Sequence, residues 1–209
     1  MNRIITIGRQ FGSGGREFGK RLADELGIPY YDKEIMEGIA ARTELAEEYI
    51  HQIVEQRPGY HFPITIGRTL HGGASDYLMH QYASVYAEQA NTVREMAEKS
   101  DCVIVGRCAD YILRDMKPTR IFIYADLESR MERCRLKGSE EEPLSPRKLK
   151  RKILAIDRNR QHYYRHYTGL AWGDRANYDI CINTSGVDIK ASAHALAMML
   201  RESNNEEKM

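Results

Sequence analysis

The amino-acid sequence predicts a three-layer α/β fold built on a parallel sheet of about five strands. Three observations predict it. Short runs of β-branched and apolar residues recur along the chain, among them Ile4-Ile5-Thr6-Ile7 and Cys102-Val103-Ile104-Val105. Stretches with apolar residues at helical spacing separate these runs, so successive strands are joined by crossovers, which gives parallel pairing and a sheet covered on both faces. The first strand also runs directly into a turn with four glycines in eight residues, Gly8 to Gly15, and then into a helix pattern.

Each element can be read in turn. After the glycine turn, Phe18, Leu22, Ala23 and Leu26 recur at helical spacing and Gly27 supplies a stop. Ile28 to Asp32 reads as a second strand ending in a carboxylate. Residues 33–57 suggest one or two helices, Pro58 to Gly73 an irregular stretch rich in glycine and proline, and 76–99 a long helix. Cys102 to Val105 is the third strand, Ala109 to Arg114 a short helix, Arg120 to Tyr124 the fourth strand, and Leu127 to Leu136 a helix carrying Arg130, Arg133 and Arg135. Lys137 to Pro146 is polar and reads as a loop. Ser145-Pro146 has the form of an N-cap followed by proline at the first helical position. A long helix runs to about Tyr167, a fifth strand spans Tyr178 to Asn183, and a terminal helix starts near Asp188.

A chain of 209 residues fits one domain with small inserts, expected here over 1–209. Hydrophobic residues at 42% and charged residues at 29% suit a globular core rather than a disordered chain. The net charge of +1 gives no global electrostatic case for a nucleic-acid or membrane partner, so any basic site must be local. No apolar run approaches the roughly 18 residues of a membrane span. Four separated cysteines without a CxxC pair read as reduced thiols, and the first residues enter a strand pattern with no signal segment; both lead to the expectation of a cytoplasmic protein.

The glycine turn is Gly8-Arg9-Gln10-Phe11-Gly12-Ser13-Gly14-Gly15-Arg16. Glycines let the backbone come close to a ligand, and the helix behind them presents its positive end, so the segment is suited to bind phosphate. Gly8, Arg9, Gly12, Ser13, Gly14, Gly15 and Arg16 are the expected phosphate-holding residues. The pattern GxxxxGK[ST] is incomplete, because no lysine follows the glycines. Arg16 is the first candidate to replace it, Arg9 the second and Lys20 the third. A tight βα turn without a ligand is the plainer alternative.

Lys150 to Arg160 is strongly basic, and Asp157 and Arg160, three apart, share a helix face. By itself this is a solvated face. Following a polar loop, late in a chain with a phosphate-binding turn, it stands where phosphoryl-transfer enzymes carry charge-neutralising arginines. The first strand with its glycine turn, Tyr31-Asp32, Gly106-Arg107, Ile121 to Asp126 followed by Arg130, Asp157-Arg158-Asn159-Arg160, and the run from Tyr163-Tyr164 to Ile182-Asn183-Thr184 form a set. Together they resemble the cytidylate kinase family, and more closely its divergent cytidylate kinase-like branch, from Ile4 to about Leu200.

The resemblance implies a P-loop NTPase-like fold with a helical acceptor-binding insert at about 33–100 and a short lid at about 137–150. It implies transfer of the ATP γ-phosphoryl group to a nucleoside monophosphate, with ATP and Mg²⁺ as cofactors. Arg107, Asp32, Asp157 and Arg130 would meet the substrate, and Arg16, Arg158 and Arg160 would neutralise developing charge. Two departures stand in the sequence. The lysine is absent, and the family's Asp-Gly-Arg after the third strand reads Val105-Gly106-Arg107, which leaves Asp32 or Asp110 as carboxylates for a metal. These departures favour a second reading, a phosphate-ligand sensor without turnover. A third reading is a kinase of a non-nucleotide small molecule.

Other residues read more plainly. His162 and His166, four apart, read as helix-surface residues, and Tyr163, Tyr164 and Tyr167 as core or interface residues. His61, His71 and His80 have no ligand spacing. The tyrosine-rich helix and the insert also offer surfaces for a homo-oligomeric contact.

Overall fold

The computed structural model describes residues 2–43, 45–46, 49–50, 73–137 and 144–206, with the backbone alone at 73–79 and 203–206. The strands are β1 (Ile4–Arg9), β2 (Tyr30–Tyr31), β3 (Cys102–Val105), β4 (Thr119–Tyr124) and β5 (Ile180–Asn183). The helices are α1 (Gly15–Leu26), α2 (Glu34–Thr43), α3 (Gly73–Lys99), α4 (Ala109–Ile112), α5 (Leu127–Leu136), α6 (Pro146–Thr168) and α7 (Ile189–Glu206).

All five strands pair in parallel, in the order β2-β3-β1-β4-β5. Alternate strand residues face opposite layers. Ile4, Cys102 and Ile104 pack with Ile35, Ile39, Val93 and Ile112 of α2, α3 and α4, joined by Tyr163 and Tyr164 of α6. Ile5, Ile7, Val103, Val105, Ile121 and Ile123 pack with Phe18 and Leu22 of α1 and Ala193 and Leu196 of α7. The expected three layers are therefore present. β2 is shorter than the sequence suggested, because Pro29 has no N–H to give to a ladder; its carbonyl still accepts from Val103 at 2.8 Å.

The sheet order positions the site. β1 and β3 are neighbours, yet the chain leaves β1 toward β2 on one side and leaves β3 toward β4 on the other. The two connections run over opposite faces of the sheet and leave a crevice above the carboxyl ends of β1 and β3. Arg9, Asp32 and Gly106 close or follow the strands that border it.

Of the expected insert, α2 and α3 are helical as predicted, while 51–72, including His61 and His71, lies outside the described residues. Of the expected lid, 138–143 lies outside them as well, and Pro146 to Lys150 forms the first turn of α6. Ser145 precedes that helix as expected but makes no side-chain cap hydrogen bond. The four cysteines are free thiols. No described helix is long and apolar enough to cross a membrane.

Candidate active site

The glycine turn is anchored from several elements. Phe11 is held at both ends: its N–H donates to Asp157 Oδ1 at 2.8 Å, and its carbonyl accepts from Arg130 Nε at 2.7 Å. Arg130 also pairs with Asp157, so α5 and α6 grip the turn through one buried ion pair. The carbonyl of Ser13 accepts from Thr184 Oγ1 at 2.7 Å and from Arg133 Nη1, while Gln10 Oε1 accepts the N–H of Ala125 at 3.2 Å. Gly14 caps α1 at φ +80, and a Cβ there would overlap Ile189 of α7. A side chain would therefore meet both backbone strain and a packed neighbour. The amides of Gly15 and Arg16 open α1, where helical geometry leaves N–H groups without intrahelical acceptors and the helix dipole is positive.

Arg9 lies between this turn and the end of β3 and is only 8% exposed. Its Nη2 lies 3.4 Å from Asp32 Oδ1, while the Nε of Arg16 meets Asp32 Oδ2 at 2.7 Å. Arg9 Nε has no hydrogen-bond acceptor among the described residues. Burial, with the guanidinium groups of Arg160, Arg16 and Arg107 against it and Asp32 for it, lowers the Arg9 pKa to about 9.

After β3 the chain makes an unusual turn. Gly106, Arg107 and Cys108 follow one another at φ +77, +59 and +53. Left-handed backbone is costly for residues with a Cβ, so surrounding contacts must hold it. Gln89 of α3 supplies one such contact. Its Nε2 donates to the carbonyl of Arg107 at 2.9 Å, and its Oε1 accepts from Tyr163 Oη of α6 at 3.1 Å. Both Gln89 and Tyr163 are buried.

The resulting pocket has a cationic wall of Arg9, Arg107 and Arg160 over Gly8 and Gly106. Arg160 Nη1 donates to the carbonyl of Arg9 at 3.1 Å, and its guanidinium lies 5.7 Å from the centre of the Phe11 ring. Tyr163, Tyr164, Trp172, Tyr178 and Asp110 also line the pocket. Tyr164 Oη donates to Asp110 Oδ2 at 2.6 Å. Burial pushes the Asp110 pKa up, partly opposed by that hydroxyl.

The expected site residues thus separate into groups. Gly8, Arg9, Arg107 and Arg160 line the pocket together. Asp32 joins them through Arg9 and Arg16, and the Arg16 side chain is itself 53% exposed. Asp157 and Arg130 spend their polar atoms on the turn. Arg158 is exposed and bonds to no described residue. His162 and His166 are on the surface, whereas Tyr163 and Tyr164 are buried and also form pocket wall. Sequence reasoning missed Gln89, Thr184 and the bonding of Arg133. Gln89 had a signal: it sits at helical spacing among Val85, Val93 and Met96, a polar residue on an apolar face.

The residues fit the phosphates of ATP, through an anion-receptive helix end and the unused Nε of buried Arg9. They do not fit a protein-held Mg²⁺, which takes oxygen ligands, usually carboxylates. Both oxygens of Asp32 face arginines, and both of Asp157 serve Phe11 and Arg130. Both oxygens of Asp126 cap Ser129, and one of Asp110 accepts from Tyr164. Among the described residues no group of three or more His, Cys, Asp or Glu side chains could hold a metal.

The model of the cytidylate kinase-like family matches residues 4–186. The chain belongs to this family. Archaeal cytidylate kinases are among its relatives. That of Methanopyrus kandleri is 23% identical over 192 residues, covering 87% of this chain and 84% of that protein. That of Methanothermobacter thermautotrophicus is 25% identical over 191 residues, covering 90% and 99%. Among solved structures, an uncharacterized protein from Eubacterium ventriosum shares the fold with a TM-score of 0.68 at 28% identity, over 97% of this chain and 99% of that one. Shikimate kinase from Bacteroides thetaiotaomicron reaches 0.58 at 16% identity, over 96% and 99%, a likeness of fold alone. This cytidylate kinase-like chain has a P-loop NTPase-like α/β fold, and its family and its cytidylate kinase relatives support a nucleotide or small-molecule kinase.

Proposed function

We propose that the protein is an ATP-dependent phosphotransferase whose acceptor is a nucleoside monophosphate. The observation that carries this reading is the convergence of Arg9, Arg107 and Arg160 on one pocket beside the glycine turn, above the ends of β1 and β3. Phosphoryl transfer needs little covalent help from a protein; it needs two phosphates held in line and their charge neutralised. In this reading the amides at the start of α1 and the side chain of Arg9 hold the donor phosphates, with Arg16 at the rim. Arg107 holds the acceptor phosphate on a turn stiffened by Gln89. Arg160 neutralises charge on the phosphoryl group in flight, and Arg158, exposed on the same helix, is a further arginine for that charge. The helices α2 and α3 border the acceptor, and Asp110 and the tyrosines of the pocket offer hydrogen-bonding and stacking groups to its base.

The test is a coupled assay with ATP, Mg²⁺ and a panel of monophosphates including CMP, dCMP and UMP. Turnover of one of them, reduced by about 100-fold or more in Arg160→Ala, is the expected outcome, the order found when a charge-stabilising group is removed. The missing lysine, and the engagement of both oxygens of Asp32 and of Asp157 by other groups, support a second reading, a nucleotide or phosphate-ligand sensor. ATP binding with no turnover of any acceptor would establish the sensor instead.

A further inference from the structure

Arg9 is seated with unusual care. A Cβ on Gly15 would lie 2.5 Å from Arg9 Cβ, and one on Gly106 would overlap Arg9 Nη1. Two glycines, one opening α1 and one following β3, thus leave room for a single side chain. Burying a guanidinium is costly unless its charge and its donors are satisfied. Here satisfaction is partial. Among the described residues, Asp32 is the carboxylate paired with Arg9, at 3.4 Å, and Arg16 holds that same carboxylate at 2.7 Å. The Nε of Arg9 donates to no described residue. Three other guanidinium groups push against its charge, as the lowered pKa reflects. A cation in that condition, lining a pocket, is a site for an anion supplied from outside.

The place it fills is also the one left open in the motif. A P-loop lysine reaches the β- and γ-phosphates from just after the turn. Gly15 and Arg16 stand there, and the Arg9 side chain packs against Gly15. We infer that Arg9 carries the charge the absent lysine would carry, and that the pocket holds a phosphate chain through guanidinium groups without a divalent cation ligated by the protein. This inference rests on the donor-binding part of the kinase reading, not on turnover.

The test is ATP binding to the 209-residue chain, measured by calorimetry in excess EDTA and again in Mg²⁺. The expected Kd values agree within about threefold, since the protein contributes no metal ligand. Arg9→Met is expected to weaken binding by about 10- to 100-fold, the size of one charge-assisted contact. Arg9→Lys, which keeps a cation but not the fork, should retain part of the affinity. Circular dichroism checks that the variants fold, and if Arg9→Met does not, the EDTA comparison on the wild-type chain still decides. Binding that requires Mg²⁺, or an Arg9→Met chain that binds like wild type, overturns the inference. The kinase reading fails separately: metal-free binding without turnover keeps this inference and removes the kinase. Turnover by a chain that takes ATP only as its magnesium complex keeps the kinase and removes this inference.

Discussion

Asp157 illustrates how one residue can matter to the proposed site through the chain that forms it. Its two oxygens hold the Phe11 amide and the buried Arg130. Removing it leaves an uncompensated buried guanidinium, which costs about 3–5 kcal/mol. Chemical denaturation of Asp157→Ala should show a loss of that order, whereas Asp157→Asn, which keeps an acceptor for Phe11, should lose less. Asp110 makes a prediction of the opposite kind. Burial raises its pKa, so the folded state holds the proton to higher pH than the unfolded chain does. The stability linked to that proton is complete below the unfolded pKa and is lost as pH rises through the folded one. Asp110→Asn keeps an acceptor for Tyr164 and no longer titrates. Its stability relative to wild type should therefore increase as pH rises from just below the ordinary aspartate value of about 4. A gap that stays constant over that rise would refute the assignment.

Among elements, α3 and α6 act together on the end of β3. Gln89 bridges Tyr163 of α6 to the carbonyl of Arg107, in the middle of three left-handed residues. Gln89→Leu leaves that carbonyl and the Tyr163 hydroxyl without their partner, a loss of about 1–3 kcal/mol for each buried group stranded. Because Arg107 rather than the glycine turn shifts, the KM for the acceptor should rise while ATP affinity holds. Equal weakening of both ligands would mean that Gln89 is merely structural. The α1–α7 pair makes a companion test. Gly14→Ala meets Ile189 and a left-handed backbone at once, so a loss of about 1–3 kcal/mol in thermal or chemical unfolding is expected.

At the scale of the molecule, the sheet divides the core into two clusters, one under α1 and α7 and one under α2, α3, α4 and α6. Neighbouring residues of the same strands serve opposite faces, so neither cluster can come apart without the sheet. Phe18→Ala, in the first cluster, should cost about 3–5 kcal/mol. It should do so in one cooperative transition, with near-ultraviolet signals from Tyr163 and Tyr164 in the second cluster lost alongside helix content. Two separate transitions would refute this coupling. The same sheet order sets the site, since the crevice exists only because the chain leaves β1 and β3 in opposite directions.

Much of this was legible in the sequence, for local reasons. Four-residue apolar runs, helical periodicity and punctuation by glycine and proline depend on neighbours a few positions apart, so the strands, most helices and the glycine turn could be read from residue order. The arginines at 9, 107 and 160 could be nominated, and the family resemblance could be drawn from short motifs. Their division of labour could not. That Arg9 is buried while Arg16 reaches the rim depends on Gly106, 97 positions away along the chain. That Asp157 and Arg130 bond to the turn, and that Gln89 stiffens the turn before α4, depends on contacts between elements far apart in the sequence. A single sequence records which groups are present. Which of them still have charge or a donor left for a ligand is decided by the pairing that the folded chain imposes.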